Sequence, residues 1–103
     1  MAYIIREIFT AKPGQAGKMA RMFKKMAAAY PDMKGARVMT DMVGPYNTVV
    51  MEMEVNKIAE WEKYMDEMRS GKPDPNMTPE LMKEMSNYHE MFLTGRREIW
   101  RIE

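Results

Sequence analysis

Residues 46–55 contain the clearest alternation in the chain, with Val49, Met51, Met53 and Val55 pointing one way and Thr48, Val50, Glu52 and Glu54 the other. A period of two identifies a strand with unlike faces. The first face belongs under helices, while the second carries two carboxylates that need partners or water. A fold containing this strand must therefore supply a sheet and a helical layer that covers one side of it.

The rest of the chain supplies both. Positions 3–10 are short, β-branched and aromatic, and end at Lys12-Pro13-Gly14, which reads as a strand and a turn. Its faces, Tyr3, Ile5, Glu7, Phe9 and Ile4, Arg6, Ile8, Thr10, are each mostly apolar with one central charge. Such a strand is expected to be covered on both sides. Over positions 15–30, Met19, Met22, Phe23, Met26, Ala27 and Tyr30 recur at intervals of three and four, opposite Lys18, Arg21, Lys24 and Lys25. That is an amphipathic helix, with Pro31 as its stop. Positions 36–43 and 46–55 form a hairpin about Gly44-Pro45.

Asn56 is placed to cap a helix whose stripe is Ile58, Trp61, Met65 and Met68, with Gly71 to end it. Residues 71–76 are too rich in Gly and Pro for regular structure and read as a surface connection able to act as a lid. Thr78-Pro79-Glu80 starts a further helix carrying Leu81, Met85, Tyr88 and Phe92, and positions 97–102 alternate as a last strand. The order strand, helix, strand, strand, helix, helix, strand fits a split βαβ arrangement: an α+β, ferredoxin-like protomer with a four-stranded antiparallel sheet and helices on one face only. The bare face carries large apolar side chains, so a homodimer through the sheet face is expected.

Composition narrows the chemistry. At 103 residues, 46% apolar and 30% charged, the chain is expected to fold as one domain over residues 1–103. A net charge of +1 argues against nucleic acid as a partner. The absence of cysteine and the single histidine remove thiolate catalysis and multi-His or Cys-based metal sites. The apolar start is broken by Arg6-Glu7, too early for a membrane span, so no membrane and a cytoplasmic location are expected. Fifteen methionines are an unusual number; on helical stripes and strand faces they read as core filler, and cuprous-ion binding is disfavoured because no Cys or His accompanies them. Charge is uneven along the chain: residues 12–37 hold seven Lys or Arg against Asp32, and residues 52–90 hold ten acids against five bases. The plainer account is solvated helix faces; assembly between copies is the other.

The run Arg6-Glu7-Ile8-Phe9-Thr10-Ala11-Lys12-Pro13-Gly14, an amphipathic helix, and Gly44-Pro45-Tyr46-Asn47 leading into Val49-Val50 resemble the NIPSNAP-type branch of the dimeric α/β-barrel superfamily. The resemblance implies two ferredoxin-like protomers whose sheets face each other to close a barrel. Relatives in that superfamily include cofactor-free oxygenases, isomerases, haem-degrading enzymes and proteins without an assigned activity. Trp61 matches the tryptophan of the haem-degrading pattern by position. Arg6 and Glu7 stand where its asparagine is wanted, and Ser70 and Gly71 where its iron-ligating histidine is wanted. No cofactor and no metal is therefore expected.

Candidate residues each have two readings. His89 is the natural proton shuttle if a site exists, and otherwise a boundary histidine hydrogen-bonded to water. Arg6 binds an anionic substrate or enters an ion network with Glu52, Glu54, Arg97 and Arg101. Asn47 donates to a developing oxyanion or stabilises its own turn. Tyr46, Trp61, Tyr88 and Trp100 offer walls for an aromatic ligand or serve as packing. Two functions follow: a cofactor-free oxygenase or isomerase acting on a hydrophobic or aromatic small molecule, or a non-catalytic binding or assembly module with a filled core. A void shared by His89 and Arg6 favours the first; Arg6 paired to Glu52 or Glu54 favours the second.

Overall fold

In the computed structural model, which describes residues 2–30, 34–72 and 75–103, the elements follow in the expected order. They are β1 (Tyr3–Ala11), α1 (Ala16–Ala29), β2 (Lys34–Thr40), β3 (Thr48–Val55), α2 (Ile58–Arg69), α3 (Pro79–Ser86), a 3-10 turn at Tyr88–Glu90, and β4 (Phe92–Arg101). All four strands join one antiparallel sheet in the order β2-β3-β1-β4, the ferredoxin-like arrangement. The helices lie on one face. No helix of the described residues is long and apolar enough to cross a membrane.

The core forms between that face and α1. Met19, Met22, Phe23 and Met26 are the buried residues of α1, and they meet Ile5 of β1 with Val49, Met51 and Met53 of β3. Thioether chains are unbranched and adaptable, which suits the irregular gap between a helix and a twisted sheet. At one end the filling is rigid. The Phe9 ring lies 4.8 Å from Phe92, 5.4 Å from Phe23 and 6.4 Å from Tyr88, centroid to centroid. Thr78 caps α3 as expected, its hydroxyl accepting from Leu81 N at 3.1 Å. Gly71, at φ +70, follows the end of α2.

Several boundaries differ from the sequence expectation. The helical stripe Leu81, Met85, Tyr88, Phe92 is not one helix: α3 stops at Ser86, Asn87 leaves helical geometry, and Phe92 opens β4. The spacing survives because the 3-10 turn still directs Tyr88 inward. β4 begins five residues earlier than its alternation suggests, because β1 offers it a partner along its whole length, with a bulge at Thr10/Ala11. The hairpin turn spans residues 41–47 and not Gly44-Pro45 alone, since Asp41 Oδ1 accepts from Thr48 N at 2.8 Å and closes a wider loop. Asn56 is not the cap of α2. Lys57 occupies that position, and Asn56 N donates to Glu60 Oε2 at 3.3 Å. α2 buries none of its residues, and Met68 is 49% exposed, because α1 and α3 already fill the space over the core. Pro31 as a helix stop, and part of the 71–76 connection read as a lid, lie outside the described residues.

Gly95 of β4 sits opposite Phe9, and a Cβ placed there would come within 2.9 Å of the Phe9 ring. The ring cannot retreat, since it is held against three other aromatic rings. Gly95→Ala is expected to destabilise the protein by about 1–3 kcal/mol, read as a lowered denaturation midpoint in urea. Gly14→Ala provides the contrast, because a Cβ there meets nothing and only the positive φ of +80 opposes it.

Candidate functional site

The bare face of the sheet carries an ordered row of charge. Cross-strand register places Arg37 of β2, Glu52 of β3, Arg6 of β1 and Glu98 of β4 on one level, alternating in sign across all four strands. Arg6 Nε donates to Glu52 Oε1 at 2.8 Å, and Arg37 Nε donates to Glu52 Oε2 at 2.7 Å. Arg6 Nη1 lies 3.7 Å from Glu98 Oε1, and Arg96 Nε lies 3.4 Å from Glu98 Oε2. The Trp100 indole N–H also donates to Glu98, at 3.1 Å.

Glu52 is the buried charged residue of the described chain, at 2% exposure. Both of its oxygens are satisfied by charged donors, the condition under which a buried carboxylate is tolerated. Burial pushes its pKa up; the hydrogen bonds from Arg37 and Arg6, with their charges, outweigh burial and leave it below the ordinary glutamate value. Ile8, on the same face, is 7% exposed although it lies outside the main core. Around this dry centre the face is wetter: Met39 is 37% exposed and Trp100 55%.

A second ion pair lies on the helical side, where Glu7 pairs with Arg97 and the Arg97 guanidinium stacks 4.9 Å from the Trp61 ring centre. Arg97 was expected to meet Arg6. Alternation puts it on the opposite face, in register with Glu7, and Arg101 opposite Tyr3 follows it.

The other candidates disperse. Trp100 shares the bare face with Arg6, whereas Trp61 and Tyr88 pack against the core on the helical side. His89 was placed on a helix by its spacing; it sits on the 3-10 turn, exposed, with its ring edge-on to Tyr88 at 6.3 Å. Asn47 holds φ +63, and its carbonyl accepts from Ala11 N at 2.8 Å, so its backbone serves the hairpin. Tyr46 is 87% exposed beside it. Arg37 and Glu98 were missed as members of the charged row. Charge alone could not reveal them, because membership depends on strand register. Among the described residues no group of three His, Asp or Glu could hold a metal.

The sequence matches no family model and no curated protein. Its backbone is similar to solved structures. A NIPSNAP family protein of Agrobacterium tumefaciens aligns with a TM-score of 0.76 at 8% identity, covering 100% of this chain and 94% of that one. A NIPSNAP-like domain protein of Burkholderia xenovorans aligns at 0.74 and 14% identity, covering 99% and 85%. A Deinococcus radiodurans protein provisionally assigned as an antibiotic biosynthesis monooxygenase aligns at 0.65 and 10% identity, covering 98% and 92%. The fold is thus the ferredoxin-like α+β fold that NIPSNAP family proteins and such monooxygenase-like proteins share. At these identities the likeness is one of fold.

Because the carboxyl of Glu52 titrates lower in the folded chain than in the unfolded one, its contribution to stability is complete above about pH 4.5, the ordinary glutamate value. It is lost as pH falls through the lower folded value. Glu52→Gln is expected to cost about 2 kcal/mol at neutral pH, less than a fully enclosed pair because both arginines reach water. The deficit relative to the parent should shrink in urea titrations run toward pH 3.

Proposed function

We propose that the protein is an assembly module with a filled core, pairing with a second copy through the bare face of its sheet. The observation that carries this reading is the pairing of Arg6: its guanidinium is engaged by Glu52 and Glu98 and is not presented to an anionic substrate. Support comes also from Trp100, Met39 and Ile102 at 37–55% exposure, a set of large apolar groups that a partner would cover. A cytoplasmic location suits the absence of cysteine.

A second reading keeps the dimer and adds chemistry: a cofactor-free oxygenase or isomerase acting on a hydrophobic or aromatic small molecule. His89 would serve as base, Arg6 or Asn47 would steady negative charge, and Tyr46, Trp61, Tyr88 and Trp100 would bind the substrate. It draws on the likeness to the Deinococcus protein and on the exposed indole of Trp100 beside Glu98. Against it stands the dispersal of His89, Arg6 and Asn47 over different parts of the fold.

Native mass spectrometry of freshly purified protein separates the readings. The module predicts a species at twice 12.1 kDa with nothing bound. A retained aromatic compound that Trp100→Ala releases would favour the enzyme, and a monomer at every concentration would sink both. In the module, Trp100→Ala should weaken the dimer about tenfold, since it removes the largest exposed apolar group of the bare face.

A further inference from the structure

We infer that α2 is a latched flap, a helix that lifts off the sheet as a unit, hinged where it leaves β3, while α1 and the strands stay folded. The helices are held unequally. α1 buries four side chains in the core, and α3 buries Leu81 behind its Thr78 cap, whereas α2 buries none. Its inner stripe of Ile58, Trp61, Tyr64 and Met65 is half-buried, and Lys57 at its N-cap supplies no side-chain hydrogen bond. A helix of 12 residues is marginal in water by itself, so α2 persists through what it touches.

Two ring contacts fasten its middle. The Arg97 guanidinium, on β4, stacks 4.9 Å from the Trp61 ring centre while it pairs with Glu7 of β1. One turn further along, Tyr64 meets Tyr30, just past the end of α1, edge to face at 5.5 Å. Contacts of this kind at half-exposed sites are weak singly, so they can break and remake without loss of the core.

The two ends of α2 differ. At the N-terminal end Asn56 N donates to Glu60 Oε2 at 3.3 Å and Glu60 N to Lys57 O at 3.1 Å. Asn56 and Lys57 alone separate the helix from Val55, the last residue of β3. At the C-terminal end Met68 is 49% exposed and Arg69 is exposed beside it. A helix tied at one end, fastened in the middle and loose at the other moves as a flap, its C-terminal end leading.

Beside α2 the sheet is already partly open. Ile99 of β4 stands next to Ile5 on the helical face, yet Ile5 is fully buried and Ile99 is 42% exposed. The roof over β4 therefore ends at Trp61 and Arg97. Lifting α2 extends this opening toward β3, against which the helix lies, so the flap governs access to the helical side of the sheet. The motion takes place on the face opposite the bare one and leaves the proposed assembly contact unchanged.

Amide hydrogen exchange of the whole protein, read by mass spectrometry at rising concentrations of urea below the unfolding transition, tests this. Amides of α2 are expected to exchange faster than those of α1 and with little dependence on urea, because lifting the helix exposes little surface. Those of α1 should accelerate steeply with urea, since they open only when the whole chain unfolds. Trp61→Ala is expected to speed α2 exchange about tenfold and leave α1 exchange unchanged. Trp61→Phe, which keeps a ring over Arg97, should restore most of the protection, and Met68→Ala, outside the latch, should alter neither helix. Equal rates and equal urea dependence for α2 and α1 in the parent protein overturn the inference without recourse to any variant. So does Trp61→Ala if it speeds both helices alike, which makes Trp61 part of one cooperative core, or if it speeds neither.

Discussion

The carboxylate of Glu52 is shut off from water on the side of the sheet that no helix covers. It is tolerated there only because Arg6 and Arg37, on the strands to either side, each give one of its oxygens a charged hydrogen bond. That requirement reaches across the sheet. The three residues must occupy one level, so β1 and β2 are held in fixed register on β3, and a slip of one residue would turn either arginine to the other face. A buried ion pair is weak evidence for stability, but here it discriminates among registers that apolar contacts alone would separate poorly.

The two faces of the sheet achieve order by different means. On the helical side, flexible methionines of α1 and β3 adapt to one another around the rigid knot of Phe9, Phe23, Tyr88 and Phe92. Gly95 belongs to that knot, since only a residue without a side chain admits the Phe9 ring over β4. On the bare side, directional ionic hydrogen bonds fix geometry where little apolar surface is available. The row that holds the protomer leaves Arg37, Arg6 and Glu98 partly open to water while Glu52 lies beneath them.

Element order, helix faces and the inward side of β3 were legible in the sequence, because each is a local period imposed by backbone geometry. The pairing of Arg6 with Glu52 was foreseen as one alternative, since Arg6 is the single charge on its strand face and Glu52 lies mid-strand on the charged side of β3. Arg97 was misplaced for a related reason. Alternation within its own segment gives two faces, but which face is inward depends on the strand it joins. The stripe that ran through Tyr88 to Phe92 misled because a 3-10 turn conserves the direction of side chains while ending the helix.

The chain by itself determined what is periodic or local: the strand and helix order, the methionine stripes, the Thr78 cap and the turn-forming Gly-Pro pair. The tertiary structure alone decided which charges share a level, that Arg37 and Glu98 complete a row begun by Arg6 and Glu52, and that His89, Arg6 and Asn47 stand apart. The physical reason is that register and proximity are properties of pairs of segments far apart in the chain. No short-range pattern encodes them, and they are settled only when hydrogen bonding and burial are satisfied across the whole sheet at once.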